Sequence, residues 1–310
     1  MRFSQLYPIF LLCMSCILPT KLFAKPKLVA TSSDLASIAQ FIGGDLIEVE
    51  GLIDGNTDLH YVSARPDFIR KVNQADIFVF VGLDLEVGWV PLLLRQSRNA
   101  KIQAGGAGYV DASQGIQALG AASGTVDRSM GDVHPQGNPH YWTDPVRVVI
   151  VARNIADALK KTDPGQAAQY DKNLAKFQDD ALALGQELKE KFKAYEGRKI
   201  TAYHNEFSYM AERFGFEVRE HIEERPGVSP SPKHIRDLVI KLKAENVRVV
   251  VNSPWTNLSY SQRVAKELGA EHVILPIRVK SATGTDDWFA MMRQSAETLL
   301  TAFKKTQKAP

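Results

Sequence analysis

The chain has 310 residues, of which 45% are hydrophobic and 24% are charged, so it is long enough for one large or two medium domains with buried cores. The formal net charge is only +3, and no basic patch with interleaved aromatic side chains stands out, which argues against nucleic acid as a partner.

The first 24 residues have the pattern of a secretory signal peptide. Arg2 supplies a positive charge, residues 6–18 form an apolar run, and Ala24 is a small residue at the predicted cleavage point. The apolar run is shorter than the about 20 residues that a membrane-spanning helix needs. We therefore predict that residues 1–24 are removed and that the mature protein is soluble and exported.

Both cysteines of the chain, Cys13 and Cys16, lie inside this predicted signal. The mature chain would then have no disulfide, no thiolate metal ligand and no cysteine nucleophile. Cys16 also offers a lipoprotein cleavage site, but Cys13 is a poor match to the leucine that is usual three residues earlier. A soluble exported protein is therefore preferred over a lipid-anchored one.

Strand and helix patterns alternate along the first half of the chain. Apolar or alternating segments predict strands, and amphipathic segments bounded by Ser, Pro or Gly predict helices. The predicted strands are 27–31, 47–53, 76–81 and 101–103. The predicted helices are 34–42, 66–73 and one that follows the segment 82–86 and continues through Gln96. Such alternation predicts βαβ units around a parallel sheet.

Residues 104–137 break this pattern because they are rich in Gly, Ala and Ser and have little periodicity. We predict a mobile surface loop. It contains Asp127, Asp132 and His134, for which the alternative to a solvated surface is a weaker cation contact near the mouth of a site.

A long amphipathic helix is predicted over 164–195, where apolar side chains recur at spacings of three and four; it would be about 48 Å long. The second half then repeats the alternation. The predicted strands are 199–203, 216–222, 247–251 and 272–277, and the predicted helices are 207–214, 232–244, 260–268 and 287–303. We therefore predict an α/β protein with an N-terminal lobe over 25–163, a linking helix over 164–195 and a C-terminal lobe over 196–310.

Three histidines occupy comparable positions in this arrangement. His60 and His204 follow predicted strands, and His140 lies in the segment Gly137–Pro145, which reads Gly-Asn-Pro-His-Tyr-Trp-Thr-Asp-Pro. Ligands of parallel sheets bind beyond the carboxyl ends of the strands. A single histidine is more often a core residue than a ligand, but three in such positions predict a cation site built from distant segments.

These segments resemble the metal-binding periplasmic solute-binding proteins of ABC transporters, the ZnuA/TroA-like group, also called solute-binding protein family 9. The resemblance covers essentially all of the chain after the signal, and it is most specific in Gly137–Pro145. Other matching segments are 58–60, 65–76, 82–86, 202–215, 229–233 and 288–293. It implies two (β/α)4 lobes with parallel sheets, joined by one long rigid helix, and a divalent cation in the cleft between the lobes.

The resemblance also implies the ligands of this cation, the first three of which fall on His60, His140 and His204. Family members that favour manganese tend to have a carboxylate at the position of His204, and imidazoles suit zinc better. We therefore expect Zn²⁺ as the transported ligand in preference to Mn²⁺.

The fourth ligand is where the chain departs from the family pattern, because the usual aspartate aligns with Pro276. Asp286 is our first candidate for the missing carboxylate, although a position beside a helix start at Asp287 is the more common use of such a residue. Glu206, His134 and a water molecule are the alternatives.

The function that the resemblance implies is capture of the ion and delivery to an ABC-transporter membrane permease, without catalysis, by a monomer that a periplasmic metallochaperone could load. Three histidines and a water also form catalytic zinc sites, so a zinc-dependent hydrolase is one alternative. The chain has no His-Glu-x-x-His string, and Glu206 is the nearest candidate base. A surface adhesin-like interaction protein is the second alternative.

Overall fold

The computed structural model describes residues 24–121, 124 and 133–307. Its framework is a pair of four-stranded parallel sheets, each at the centre of a lobe. The strands are β1 (Lys27–Ser32), β2 (Glu48–Ile53), β3 (Ile77–Phe80) and β4 (Tyr109–Asp111) in the first lobe, and β5 (Lys199–Ala202), β6 (Glu217–His221), β7 (Val249–Asn252) and β8 (Glu271–Ile274) in the second. The spatial orders are β2-β1-β3-β4 and β6-β5-β7-β8, so the two sheets share one topology.

The α-helices of the described residues are α1 (Ser33–Gly43), α2 (Pro66–Asn73), α3 (Val90–Ser97), α4 (Arg147–Thr162), α5 (Ala167–Phe192), α6 (Ser208–Phe214), α7 (Pro232–Ala244), α8 (Leu258–Leu268) and α9 (Trp288–Gln307). No helix within this part of the chain is long and apolar enough to cross a membrane. Each sheet changes winding direction at its centre, beside β1 and beside β5. In α/β sheets, ligands usually bind beyond the carboxyl ends of the strands at such a point.

Helix α5 joins the two lobes. It contacts α1 and α4 of the first lobe and α6 and α9 of the second. Its buried residues recur along one side and include Phe177, Leu184 and Leu188, as the apolar spacing predicts. The predicted fold class, two α/β lobes joined by a long helix, is confirmed.

The hydrophobic core is continuous between the lobes. One cluster includes Leu28 and Val79 of the first sheet, Phe177 of α5, and Ile200 and Val251 of the second sheet. A separate, smaller cluster packs α7 and α8 against the second sheet and contains ten buried residues. Because most of the buried apolar surface belongs to the shared cluster, the lobes are packed as one unit.

A buried polar link also ties the lobes together. The Arg278 guanidinium, which follows β8, contacts the Asp34 carboxylate at the start of α1 at 3.2 Å, and both side chains are almost fully buried. Arg278 Nη1 donates to the Thr57 carbonyl at 2.9 Å, and the other Asp34 oxygen accepts the Val279 N–H at 2.8 Å. The link lies close to the segment that carries His60.

One predicted element of the first lobe is wrong. The segment 101–103 is not a strand, because Asn99 caps a short 3₁₀ turn over Ala100–Ile102; the fourth strand is β4, inside the segment predicted to be a loop. Helix α3 spans Val90–Ser97 after turns over 83–89, in agreement with the predicted helix that follows 82–86 and continues through Gln96. The lobe boundaries at 163 and 195 stay predictions, and Asp127, Asp132 and the signal residues 1–23 lie outside the described residues.

We expect Asp34→Ala to lower the free energy of unfolding by about 3–5 kcal/mol, because it leaves the buried Arg278 cation without its counter-ion. Urea denaturation of the metal-free protein measures the change. Lys176→Ala is the matched control: it breaks the exposed pair with Asp180 and should cost less than about 1 kcal/mol. A similar small loss in both variants would contradict a stabilising role for the interlobe link.

Candidate metal centre

His60 lies on a short 3₁₀ turn, Leu59–Tyr61, that follows β2. The Asp58 carboxylate caps this turn by accepting the His60 backbone N–H at 2.9 Å, and the same oxygen lies 2.7 Å from His60 Nδ1. One carboxylate oxygen therefore fixes both the backbone and the ring. The Nε2 atom is left to face the other rings, and it lies 3.1 Å from His134 Nε2.

His140 repeats this arrangement with an amide in place of the carboxylate. The Asn138 side-chain oxygen accepts the His140 backbone N–H and lies 2.8 Å from His140 Nδ1. The Asn138 amide nitrogen in turn donates to the Asn205 carbonyl at 2.7 Å. His140 is only 3% exposed, so its ring is held within the protein with Nε2 unused by these contacts.

The segment that carries His140 is clamped by both lobes. The Tyr141 hydroxyl donates to the Val81 carbonyl just after β3, and the Trp142 indole N–H donates to the Ile277 carbonyl after β8. Asp144 is fully buried and accepts hydrogen bonds from Arg147 and Arg213. Helix α4 therefore begins at Arg147, slightly later than the Asp144-Pro145 pattern predicts.

His204 follows β5 in the second lobe. Its Nδ1 atom makes a short contact with the Glu223 carboxylate, which comes from the segment after β6. Its Nε2 atom is buried and has no hydrogen-bond partner among the described residues. An unpartnered buried nitrogen costs free energy, so its placement needs a functional reason.

The structure brings these three histidines together. One ring nitrogen from each of His60, His140 and His204 lies within 4.8 Å of the other two. Ring centroids are 5.6 Å apart for His60 and His140, 5.4 Å for His60 and His204, and 5.2 Å for His140 and His204. Three imidazoles that are each oriented by an oxygen acceptor on Nδ1 form an arrangement suited to a divalent cation.

The electrostatics of the three rings differ. Burial, followed by the charges of His204 and His60, holds the pKa of His140 well below its usual range. Burial also acts to lower the pKa of His204, but the hydrogen bond and charge of Glu223 outweigh it and raise the pKa to about 9. The cluster thus contains a neutral imidazole beside one that is protonated at neutral pH.

Asp286 is not brought to this cluster, so the structure gives no support to it as the fourth ligand. It lines a separate pocket of about 590 Å³ between α1, β2 and α9. The neighbouring Asp287 accepts the Ala290 N–H at 2.8 Å and so sits at the start of α9. Pro276 also supplies no ligand side chain, and its carbonyl accepts a hydrogen bond from Ser295.

The residues that orient the rings were not predicted. Asp58 and Asn138 each precede their histidine by two residues, and Asp or Asn commonly bonds the N–H two residues ahead, so this spacing was a usable signal. Glu223 gave no such signal, because it reaches His204 from a different strand.

Comparison with known proteins decides the family. The family described as ZnuA, "Zinc-uptake complex component A periplasmic", matches residues 28–302. The chain belongs to this family. The match includes both lobes and all three clustered histidines.

One relative of this ZnuA-family chain is PsaA of Streptococcus pneumoniae, a manganese ABC transporter substrate-binding lipoprotein. The two sequences are 28% identical over 91% of this chain and 90% of the relative. A metal ABC transporter substrate-binding lipoprotein, ScbA, of Streptococcus cristatus is 27% identical over 91% and 90%. Among solved structures, one described as the crystal structure of ZnuA is 26% identical, with a TM-score of 0.74, covering 90% of this chain and 99% of that one.

A zinc-bound ZnuA deletion mutant has a TM-score of 0.76 and 26% identity, with coverage of 90% and 98%. The ZnuA fold of this chain therefore agrees with solved structures along nearly its full length. The names of these relatives include both zinc and manganese.

We expect Glu223→Gln to lower the pKa of His204 from about 9 to 6.5 or below, because burial then acts without the opposing carboxylate. In the metal-free protein the pair stabilises the folded state fully below pH 6.5, and this contribution is lost as the pH rises through about 9. Imidazole ¹⁵N chemical shifts followed by NMR measure the change. Glu224→Gln, at an exposed neighbour, is the control; an unchanged His204 pKa in Glu223→Gln would contradict this interpretation.

Proposed function

We propose that the protein binds one divalent cation, preferentially zinc, between His60, His140 and His204 and delivers it to the permease of an ABC transporter. The observation that carries the proposal is the convergence of three ring nitrogens within 4.8 Å. Family membership and relatives named as metal ABC transporter substrate-binding proteins support the transport role.

The donor set favours zinc. Imidazole nitrogens bind zinc at about 2.0–2.1 Å, whereas hard cations prefer oxygen ligands. The nearby carboxylates are already used: Asp58 contacts His60 Nδ1 and Glu223 contacts His204 Nδ1. These carboxylates orient the two rings and do not offer manganese a direct oxygen ligand.

The size of the site fits an ion. The cavity beside the cluster is about 240 Å³ and is lined by His60 and His204 together with residues such as Asp58, Tyr61 and Glu206. His140 is almost fully buried and packs against both of these histidine rings. A cavity of this size is below the range typical of sites for organic ligands, which supports a single cation as cargo.

Delivery must rely on limited motion. The shared core and the buried link between Arg278 and Asp34 oppose wide separation of the lobes. Release of the ion is therefore expected from local changes at the turns that carry the histidines, when the permease engages this face. The protein acts as a monomer in this proposal, and a periplasmic metallochaperone could load it.

Catalysis has weaker support. Glu206, the nearest candidate base, is buried and accepts a hydrogen bond from the Ser253 hydroxyl, so it is engaged in the interior. Burial, with smaller opposing effects from His204 and Ser253, raises its pKa.

We place the protein outside the cytoplasm, where relatives act as substrate-binding lipoproteins by name. Those names favour a lipid anchor at Cys16 more than the sequence pattern alone does. Mass spectrometry of the mature N-terminus distinguishes a lipidated Cys16 from a free terminus after Ala24.

The mature protein should bind zinc tightly with one-to-one stoichiometry, and manganese should compete poorly, because all three ligand atoms are imidazole nitrogens. His140→Ala should abolish tight binding. Isothermal titration calorimetry measures both, with His272→Gln as the control, since His272 contacts Asn252 on β7. Full zinc affinity in His140→Ala would contradict the proposed site.

Zinc binding at pH 7 should release about one proton, because His204, with a pKa of about 9, must become neutral at Nε2 to bind the metal. The release should disappear above the pKa and should fall towards zero at pH 7 in Glu223→Gln. Calorimetry in buffers of different ionisation enthalpy measures the number of protons. A proton release that does not change with pH or with Glu223→Gln would contradict this linkage.

A further inference from the structure

Strand β2 lies at the edge of the first sheet, and its outer side is unpaired. The Glu48 N–H donates to the Pro26 carbonyl, on the side of β1. Because the backbone groups of a strand alternate in direction, those of Val49, Gly51 and Ile53 face outward. Within the described part of the chain, no backbone hydrogen bond reaches these three residues on that side. The outer side of β2 is therefore a row of donors and acceptors that can pair with another strand.

This edge is also the least protected of the four edges of the two sheets. Strand β4 has three residues, β8 has four, and the pairing of β6 with β5 contains a register shift. Short or irregular edges accept a further strand poorly. Strand β2 has six residues, Glu-Val-Glu-Gly-Leu-Ile, without proline or lysine, and its register against β1 is regular. It is thus the edge that is most open to an added strand.

A groove lies beside this edge. The pocket of about 590 Å³ that Asp286 lines is also lined by residues of β2, among them Val49 and Gly51. Helix α1 and the start of α9 line it too, and their partly buried Phe41 and Phe289 rings are 5.6 Å apart. We call this pocket the β2 groove. Because side chains of a strand alternate between two faces, a segment added to β2 would place every second side chain on the face that packs against α1.

The charges around the β2 groove are mainly negative. Asp54, Asp286 and Asp287 line it, and Glu48 is exposed at the start of β2. In the part of the chain that the structure describes, these four carboxylates form no ion pair. Lys280 is the single basic side chain among the described residues that line the groove. The surroundings therefore complement a segment that carries basic residues.

The same charges oppose pairing of β2 with a second copy of the chain. Gly51 faces α1, where an added Cβ atom would lie 3.3 Å from the Ala36 Cβ atom, so Glu48 and Glu50 point to the opposite face of the strand. Two β2 edges side by side would bring these carboxylates close to one another. Like charges on neighbouring strands are destabilising, whereas lysine beside glutamate is favourable. A basic partner therefore fits this edge better than a second copy does.

We propose that the β2 groove binds an extended, basic segment of another protein, which adds to the first sheet as a fifth strand. Main-chain hydrogen bonds with the outward groups of Val49, Gly51 and Ile53 provide affinity. Apolar side chains of the segment pack towards Phe41 and Phe289, and its basic side chains face the carboxylates. The described residues that line the groove do not include the three clustered histidines, so this inference does not depend on the metal.

The test uses the metal-free protein and a fluorescein-labelled peptide, Lys-Val-Lys-Val-Lys-Val-Lys. Fluorescence polarisation should show saturable one-to-one binding that weakens as salt is added, and the peptide Glu-Val-Glu-Val-Glu-Val-Glu should not bind. Amide hydrogen exchange, followed by NMR, should slow at Val49 and Gly51 in the complex because their N–H groups gain partners. Exchange at Glu50 should not change, since its N–H faces β1.

Val49→Pro and Val49→Ala form a matched pair of variants. Both replace the valine side chain with a smaller one, but only the proline removes the outward N–H, and proline is tolerated where the N–H of an edge strand faces solvent. The peptide should bind Val49→Pro about fivefold more weakly than Val49→Ala, which is the effect expected for one hydrogen bond. If Val49→Pro does not fold, the exchange experiment on the wild type decides the question.

Three results would overturn the proposal: no saturable binding of the basic peptide, equal affinity of the two folded variants, or binding that leaves exchange at Val49 and Gly51 unchanged. Slower exchange at these amides when the protein alone is concentrated would assign the edge to a second copy, and it would also overturn the proposal. Zinc binding is measured in separate experiments, so none of these results bears on the proposed function.

Discussion

The site depends on one recurring interaction, an oxygen acceptor placed against Nδ1 of each clustered histidine. Asp58, Asn138 and Glu223 supply these oxygens to His60, His140 and His204. An imidazole whose Nδ1 is engaged can offer only Nε2, and its ring plane is fixed. The fold places these three oriented rings close together. His60 comes from a turn after β2, His140 from the loop before α4, and His204 from the end of β5. Without the acceptors the rings could rotate, and much of the preorganisation for a cation would be lost.

Much of the framework follows from local sequence patterns. The buried run that forms β3 and the start of α7 at Pro232 are each predicted from local chemistry. The convergence of the three histidines was also predicted, but from the resemblance to a known family together with the rule that parallel strands end at one edge. The position of β4 could not be predicted, because three residues are too few to show a periodicity.

What the sequence does not show at the site depends on how distant segments pack. Asp286 is predicted as a ligand from its nearness in sequence to the last strand, and in the structure it lines a separate pocket with α1, β2 and α9. Glu223 was missed because its contact with His204 joins the segments after two different strands. Long-range contacts of this kind depend on the packing of both lobes. Asp58 and Asn138, in contrast, act two residues ahead in the chain, and such short-range contacts are readable from sequence.

The hydrophobic core is divided into a larger and a smaller cluster, so the three histidines are not supported by the same part of the core. His60 and His140 rest on the larger cluster, whereas Glu223 directly follows Ile222, a member of the smaller one beneath α7 and α8. Regions with fewer buried contacts open at lower free energy than the rest of a protein, as separate cooperative units. A sub-global opening confined to that layer would carry Glu223 away and free the His204 ring while two donors stayed in place. Under the proposed function, the ion would then be held by His60 and His140 alone, and it could exchange without unfolding of the larger cluster.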